Sequence, residues 1–271
     1  EYAEHVKSSV EGLSLSGMRL VIDCANGAAS ELAPRVFEEL GAAVTAMACS
    51  PDGRNINDSC GSLHPKGMCD AVRSNGADAG LSLDGDADRV IMADETGAVV
   101  DGDRIMAILG LHAASTVGLS ANAVVGTVMS NVGLELALRR EGVALVRTAV
   151  GDRYVCDEMR RTGAEVGGEK SGHVILSRYA TTGDGMITAL QVLSVMLDTG
   201  KRLSELAAQM EEFPQVLLNV PVAQRGGWDS HEPILQAIAE AERALGDRGR
   251  LVVRPSGTEN LIRVMAEGPD Q

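Results

Sequence analysis

The densest chemistry in this chain lies in Leu83-Asp84-Gly85-Asp86-Ala87-Asp88-Arg89, where three carboxylates alternate with small residues after an apolar run. At i, i+2 and i+4, Asp84, Asp86 and Asp88 can converge on one hard cation. Without a counter-ion such close carboxylates repel by kcal/mol amounts, so a divalent ion is their physical complement. Three short carboxylates from a single loop favour Mg2+ together with a phosphate oxygen. A solvated acidic turn is the plain alternative. A calcium EF-hand is a sharper one, because Asp84, Asp86, Asp88 and Glu95 keep that loop's ligand spacing. It fails where Arg89 replaces the glycine the turn requires, and where strands rather than helices flank the loop.

Two more segments carry concentrated polar chemistry. Gly167-Gly168-Glu169-Lys170-Ser171-Gly172-His173 sets an acceptor, a cation, a hydroxyl and an imidazole between glycines. That set suits hydrogen bonding to a polyhydroxylated ligand, with glycine allowing close backbone approach; an ordinary polar hairpin is the alternative. Arg254-Pro255-Ser256-Gly257-Thr258-Glu259 follows the apolar run Leu251–Val253 and describes an anion cradle, to which Arg263 can add a second guanidinium. Here the alternative is a helix-starting capping box, Ser256-x-x-Glu259, weakened because Leu261 onward alternates like a strand.

The elements that must position these loops are legible as periodicity. Strands are expected at Arg19–Asp23, Ala42–Met47, Ala77–Leu83, Val90–Ala93 and Ala98–Val100, with helices at Ser30–Leu40 and Lys66–Ser74. After Asp101 the pattern restarts: helix 103–114, strand 123–128, helix 131–141, strand 143–149, helix 152–162, strands near Glu165 and at Val174–Leu176, and a helix from Asp184 to Asp198. From Phe213-Pro214, where proline should end the preceding helix, the order is strand, helix, strand, strand. The expected fold class is therefore α/β: two consecutive α/β domains (1–100 and 101–213) with mixed, mostly parallel sheets, then a small, truncated α+β domain (214–271).

Composition excludes whole classes of function. Lys and Arg total 24 against 38 Asp and Glu, a net charge of −14. Such a chain is repelled by nucleic acid and anionic membranes, so neither is an expected partner. The 30 residues between Arg104 and Glu135 contain no Asp, Glu, Lys or Arg, long enough for a membrane span, but their serines, asparagines and glycines favour a helix, a polar loop and a strand. Five scattered cysteines without a C-x-x-C pair argue against a disulfide framework or zinc site and for a cytoplasmic location.

Taken in order, the three loops resemble those of the α-D-phosphohexomutase superfamily: a metal loop D-G-D-[GA]-D-R, a sugar loop G-E-x-S-G-H and a phosphate loop R-[PK]-S-G-T-E. Val21–Gly27, Thr127–Asn131, Val150–Val155 and Thr181–Gly185 are similar to the bacterial phosphoglucosamine mutase branch. The resemblance implies interconversion of glucosamine 6-phosphate and glucosamine 1-phosphate through a phosphoserine and a bisphosphate, on the route to cell-wall precursors. It assigns Mg2+ to Asp84, Asp86 and Asp88, with Arg89 as the catalytic cation beside it. Glu169, Lys170, Ser171, His173 and Arg153 would contact the sugar or its phosphate, and Arg254, Ser256, Gly257, Thr258 and Arg263 the non-reacting phosphate. Arg89, Arg153, Lys170, Arg254 and Arg263 would then gather positive charge in one cleft of an acidic protein.

The sequence departs from the superfamily pattern in places. Ala87 stands where many members have glycine, tolerable if its φ is negative, and Asn260 replaces a usual proline. No T-A-S-H-N serine loop occurs in the sequence. The resemblance therefore implies that an N-terminal nucleophile domain is a missing partner, that the last domain is incomplete, and that this chain alone is inactive. A homodimer is compatible with this reading, although nothing in the sequence selects an oligomeric state. Two alternatives stay open: phosphomannomutase or phosphoglucomutase specificity, and a non-catalytic acidic metal-binding protein.

Overall fold

In the computed structural model, which describes residues 1–223, 226–246, 249–256 and 259–269, the chain forms two compact units. One comprises residues 1–130 and 137–210, the other residues 131–136 and 211–271.

The first unit opens with a short helix α1 (Tyr2–Ser8) that the sequence pattern does not announce. Tertiary bonds hold it: the Tyr2 hydroxyl donates to Asp184 Oδ2 at 2.7 Å, and Gln191 Nε2 donates to the Ser9 carbonyl at 2.7 Å. Seven residues with one buried apolar side chain, Val6, have little helical signal of their own.

Next come β1 (Arg19–Asp23), α2 (Leu32–Glu39), β2 (Ala43–Met47), α3 (Lys66–Asn75), β3 (Ala79–Leu83), β4 (Val90–Asp94) and β5 (Val99–Val100). The sheet order is β2-β1-β3-β4-β5. β1 is parallel to β2 and β3, whereas β4 returns antiparallel to β3 and β5 to β4. β3 and β4 are buried along their whole length, which is why they read as runs of apolar and small residues up to the buried Asp94 that closes β4.

The remainder of the unit repeats that plan. α4 (Gly102–Ser115), β6 (Ala123–Thr127), α5 (Val132–Arg140), β7 (Ala144–Thr148), α6 (Asp152–Thr162), β8 (Val166–Gly168), β9 (Val174–Leu176), α7 (Gly185–Thr199) and α8 (Leu203–Ala207) follow. Their sheet runs β7-β6-β8-β9, with β6 parallel to β7 and β8, and β9 antiparallel to β8. Each sheet thus has three parallel strands and then a reversal, and the reversal carries a polar loop: Asp84–Arg89 between β3 and β4, Glu169–His173 between β8 and β9. The uncharged stretch after Arg104 is divided between α4 and β6. Among the described residues no helix is long and apolar enough to cross a membrane.

The second unit is a sheet of order β10-β12-β11, formed by β10 (Gln215–Pro221), β11 (Arg250–Pro255) and β12 (Leu261–Glu267), antiparallel throughout. Helix α9 (Glu232–Leu245) packs on β11. The first turn of α5 belongs to this unit. The Asn131 side chain donates to the Phe213 carbonyl at 2.9 Å and accepts from the Phe213 N–H at 3.1 Å. Pro214 does not end a helix as expected. α8 closes at Ala207, and Pro214 leads directly into β10. The fold is thus α/β with two mixed sheets, followed by a small α+β unit.

Candidate functional site

The reversal from β3 to β4 brings the three aspartates together. Carboxylate oxygens of Asp84, Asp86 and Asp88 all lie within 4.8 Å of one another. The Asp84 carboxyl is pushed up to about 6, first by burial and then by the negative charges of Asp88 and Asp86, against a backbone N–H donated by Arg89 at 3.2 Å. Asp88 Oδ1 is buried and has no hydrogen-bond partner among the described residues. Arg89 Nε stands 3.6 Å from that oxygen and 3.8 Å from Asp84 Oδ2, so it offsets the charge without bonding to either. An orphaned carboxylate oxygen beside two crowded neighbours is a donor set suited to a hard divalent cation.

The condition under which Ala87 would be tolerated without strain is not met. Its φ is +62°, in the left-handed region rather than negative. The tight reversal demands that conformation, in which the Cβ is disfavoured.

Neighbouring backbone seats the loop. A Cβ on Gly27 would lie 2.2 Å from the Gly85 carbonyl oxygen, to which the Ala28 N–H donates at 2.8 Å. Asp23, almost fully buried at the end of β1, accepts the N–H of Ala25 and of Gly61, both at 2.9 Å. It thereby ties the 57–62 loop, whose Asn57 N–H bonds the Ala25 carbonyl at 2.9 Å, beside the acidic reversal. Asp23 is a residue that sequence reasoning missed. Its one signal was a carboxylate closing an apolar strand before Asn26-Gly27.

The second polar loop docks on the first. His173 is 3% exposed, with Nδ1 3.1 Å from Asp88 Oδ2 and Nε2 accepting the Gly183 N–H at 3.2 Å. Because Nε2 accepts, Nδ1 carries the ring proton and stands beside Asp88 Oδ2. The Val90 N–H donates to the Gly172 carbonyl at 3.1 Å, and the Gly185 N–H to the Ala87 carbonyl at 2.9 Å. Gly183 and Gly185 are required here, since a Cβ would fall 2.7 Å from the Asp88 carbonyl oxygen and 2.6 Å from that of Arg89. Asp184 between them caps α7, accepting from Met186 and Ile187 N–H at 3.0 Å.

The other expected contacts are distributed as follows. Glu169 Oε1 accepts the Gly151 N–H at 2.9 Å, and Ser171 Oγ donates to Glu169 Oε2 at 3.4 Å. Lys170 Nζ lies 3.7 Å from Asp101 Oδ2. Arg153 does not join this cluster; it is an exposed side chain 3.8 Å from Asp157 on α6.

In the second unit, Arg254 on β11 faces Arg263 across the β11–β12 register. Ser256 is buried, and its N–H donates to the Leu261 carbonyl at 2.9 Å. The Glu259 N–H reaches Ser256 Oγ at 3.3 Å, half of a capping box, but β12 follows and no helix begins there. Arg263 carries a buried Nε with no hydrogen-bond partner among the described residues and lies 3.5 Å from Glu259. Gly257 and Thr258 lie outside the described residues.

The phosphoglucomutase/phosphomannomutase family model matches in three parts: alpha/beta/alpha domain II over residues 1–97, alpha/beta/alpha domain III over residues 101–213, and the C-terminal domain over residues 217–271. The chain belongs to this family. It is 54% identical over 270 residues to a phosphoglucosamine mutase of Heliobacterium modesticaldum, covering 99% of this chain and 58% of that protein. It is also 54% identical to a phosphoglucosamine mutase of Anaeromyxobacter dehalogenans, covering 59% of it. The chain therefore spans somewhat under two thirds of these relatives. Among solved structures, Aspergillus fumigatus N-acetylphosphoglucosamine mutase with GlcNAc-6P and magnesium shares the fold at a TM-score of 0.77 and 23% identity, over 99% of this chain and 66% of that one. A Burkholderia thailandensis family member shares it at 0.78 and 21%, over 100% of this chain and 60% of that one.

Proposed function

We propose that this chain supplies the metal-, sugar- and phosphate-binding parts of a phosphoglucosamine mutase, divided at 1–100, 101–213 and 214–271. The observation that carries the reading is the 3.1 Å contact between His173 Nδ1 and Asp88 Oδ2, which brings the acidic loop and the sugar loop together. Similarity at 54% to proteins named phosphoglucosamine mutase selects the branch.

Asp84, Asp86 and Asp88 would hold Mg2+, whose chemistry is to neutralise charge on a phosphoryl group in transfer. Arg89 is the catalytic cation, kept beside the carboxylates. His173 orients Asp88 from the far side. Glu169 and Ser171 read sugar hydroxyls, with Lys170 and Arg153 available to the substrate or its phosphate. Arg254, Ser256, Gly257, Thr258 and Arg263 hold the phosphate that does not react. Phosphoryl transfer asks mainly for positioning and charge neutralisation, and these residues perform both. The nucleophilic serine and its phosphoserine form would come from outside these motifs. The five unpaired thiols fit a cytoplasmic setting.

A chimaera tests this. The matching 270 residues of the Heliobacterium enzyme are replaced by this chain, and glucosamine, mannose and glucose 6-phosphates compete in one assay. Preference for glucosamine 6-phosphate is expected. A folded chimaera that prefers mannose or glucose phosphate would overturn the branch assignment. One that binds Mg2+ yet converts none of the three would favour a non-catalytic metal-binding protein.

A further inference from the structure

We propose that the first unit holds a second anion-binding site, for a small phosphorylated molecule, at the end of its first sheet opposite the aspartates. β1 and β3 run in parallel from Arg19 and Ala79 to Asp23 and Leu83, where the acidic reversal begins. At their starting ends lies a cavity of about 500 Å³, within the range of about 300–1,000 Å³ typical of small-molecule sites. One strand length, roughly 15 Å, separates it from the metal loop.

Its lining runs against the overall charge of the chain. The chain carries a net charge of −14, yet this cavity presents Arg19, Lys201 and Arg202 against Asp78 and Glu95. Both carboxylates are already engaged. Asp78 Oδ2 accepts the Arg19 N–H at 2.7 Å, while Glu95 accepts the Ser204 hydroxyl at 2.5 Å and the Ser204 N–H at 3.3 Å. Among the described residues Arg19 and Lys201 form no ion pair. The Arg19 guanidinium lies over Gly76, 3.5 Å from where a Cβ would stand, so it rests against the backbone of that turn. Met18 and Leu197 add an apolar wall.

Cations without partners around a concave wall are complementary to a phosphate, and guanidinium and ammonium donors bind it with charge-assisted hydrogen bonds. Apolar surface beside them gives a ligand body somewhere to rest. The site also joins the two halves of the first unit. Arg19 and Asp78 come from the first sheet and Lys201 from the α7–α8 turn, which Glu95 fastens through Ser204. A bound anion would bridge the segments that carry the metal loop and the sugar loop.

The test uses the whole chain and pyrophosphate as probe. In an Arg254→Ala background, which weakens the phosphate cradle of the second unit, calorimetry should show a pyrophosphate site that is at least tenfold weaker with Lys201→Glu and retained with Lys201→Arg. In the unsubstituted chain, saturating pyrophosphate should slow acetylation of Lys201 severalfold relative to Lys66. Equal acetylation of Lys201 with and without pyrophosphate would overturn the proposal. So would unchanged pyrophosphate affinity in a folded Lys201→Glu variant.

Discussion

The raised Asp84 carboxyl makes the metal-free chain less stable as pH rises. Its value is about 6 in the folded chain against 3.8 for an unperturbed Asp. Between those values the folded state holds more protons than the unfolded one, so stability falls as pH climbs from about 4 to about 6 and stays lower above. A gap of about two pH units corresponds to at most about 3 kcal/mol, and to about 1–2 kcal/mol once solvent screening of this half-exposed cluster is allowed for. Mg2+ should reverse the trend: it binds the ionised triad, and 100 times its Kd adds about 2.7 kcal/mol. The assay is scanning calorimetry of the first unit's transition from pH 4.5 to 8, with EDTA and with Mg2+. Asp84→Asn keeps an acceptor for the Arg89 N–H and lacks the charge. In EDTA it should flatten the decline, and it should weaken the response to Mg2+ at pH 7.5. If the unsubstituted chain and Asp84→Asn show the same pH slope in EDTA, the account of a crowded, partly buried triad is refuted.

Ala87→Gly should stabilise the first unit by about 0.5–1 kcal/mol, since relief of the left-handed strain (about 1–2 kcal/mol) exceeds the entropic cost of glycine; chemical denaturation reads it, and destabilisation would contradict the +62° φ. His173→Ala should weaken Mg2+ binding by about 10–100-fold, as expected when a ligand loses its orienting partner, and unchanged calorimetric affinity would remove its assigned role. Gly183→Ala should cost about 1–3 kcal/mol, because the new Cβ meets the His173 ring and the Asp88 carbonyl. A thermal midpoint equal to that of the unsubstituted chain would show the segment free to move. Asp86→Ala should abolish most Mg2+ binding while leaving the first unit folded, and calorimetry with circular dichroism separates the two effects.

Much of the candidate site is legible along the chain because its parts are local. Asp84, Asp86 and Asp88 lie within one turn, so their spacing alone brings them together. The strands at β3 and β4 are apolar and small-residue runs up to Asp94, and α3 keeps helical spacing; burial on one or two faces leaves that record in any sequence. α1 left no such record. Its helix depends on the bond from Tyr2 to Asp184, 182 residues away. The turn of α5 that joins the second unit likewise depends on Asn131 meeting Phe213. The φ of Ala87 was not legible for a related reason: a residue type constrains φ only weakly, whereas the close return of β4 beside β3 dictates it.

Local order thus determined three things: which residues carry the chemistry, the fold class, and the family that the order of the three loops resembles. Tertiary structure alone decided how those residues act on one another. It turned His173 inward onto Asp88, left Asp88 Oδ1 without a donor, raised Asp84, and made Gly183 and Gly185 obligatory beneath the acidic loop. The reason is physical. Spacing within a loop is covalent, and the sequence records it. Burial and charge depend on which distant segment packs alongside, and only the folded chain brings that segment there.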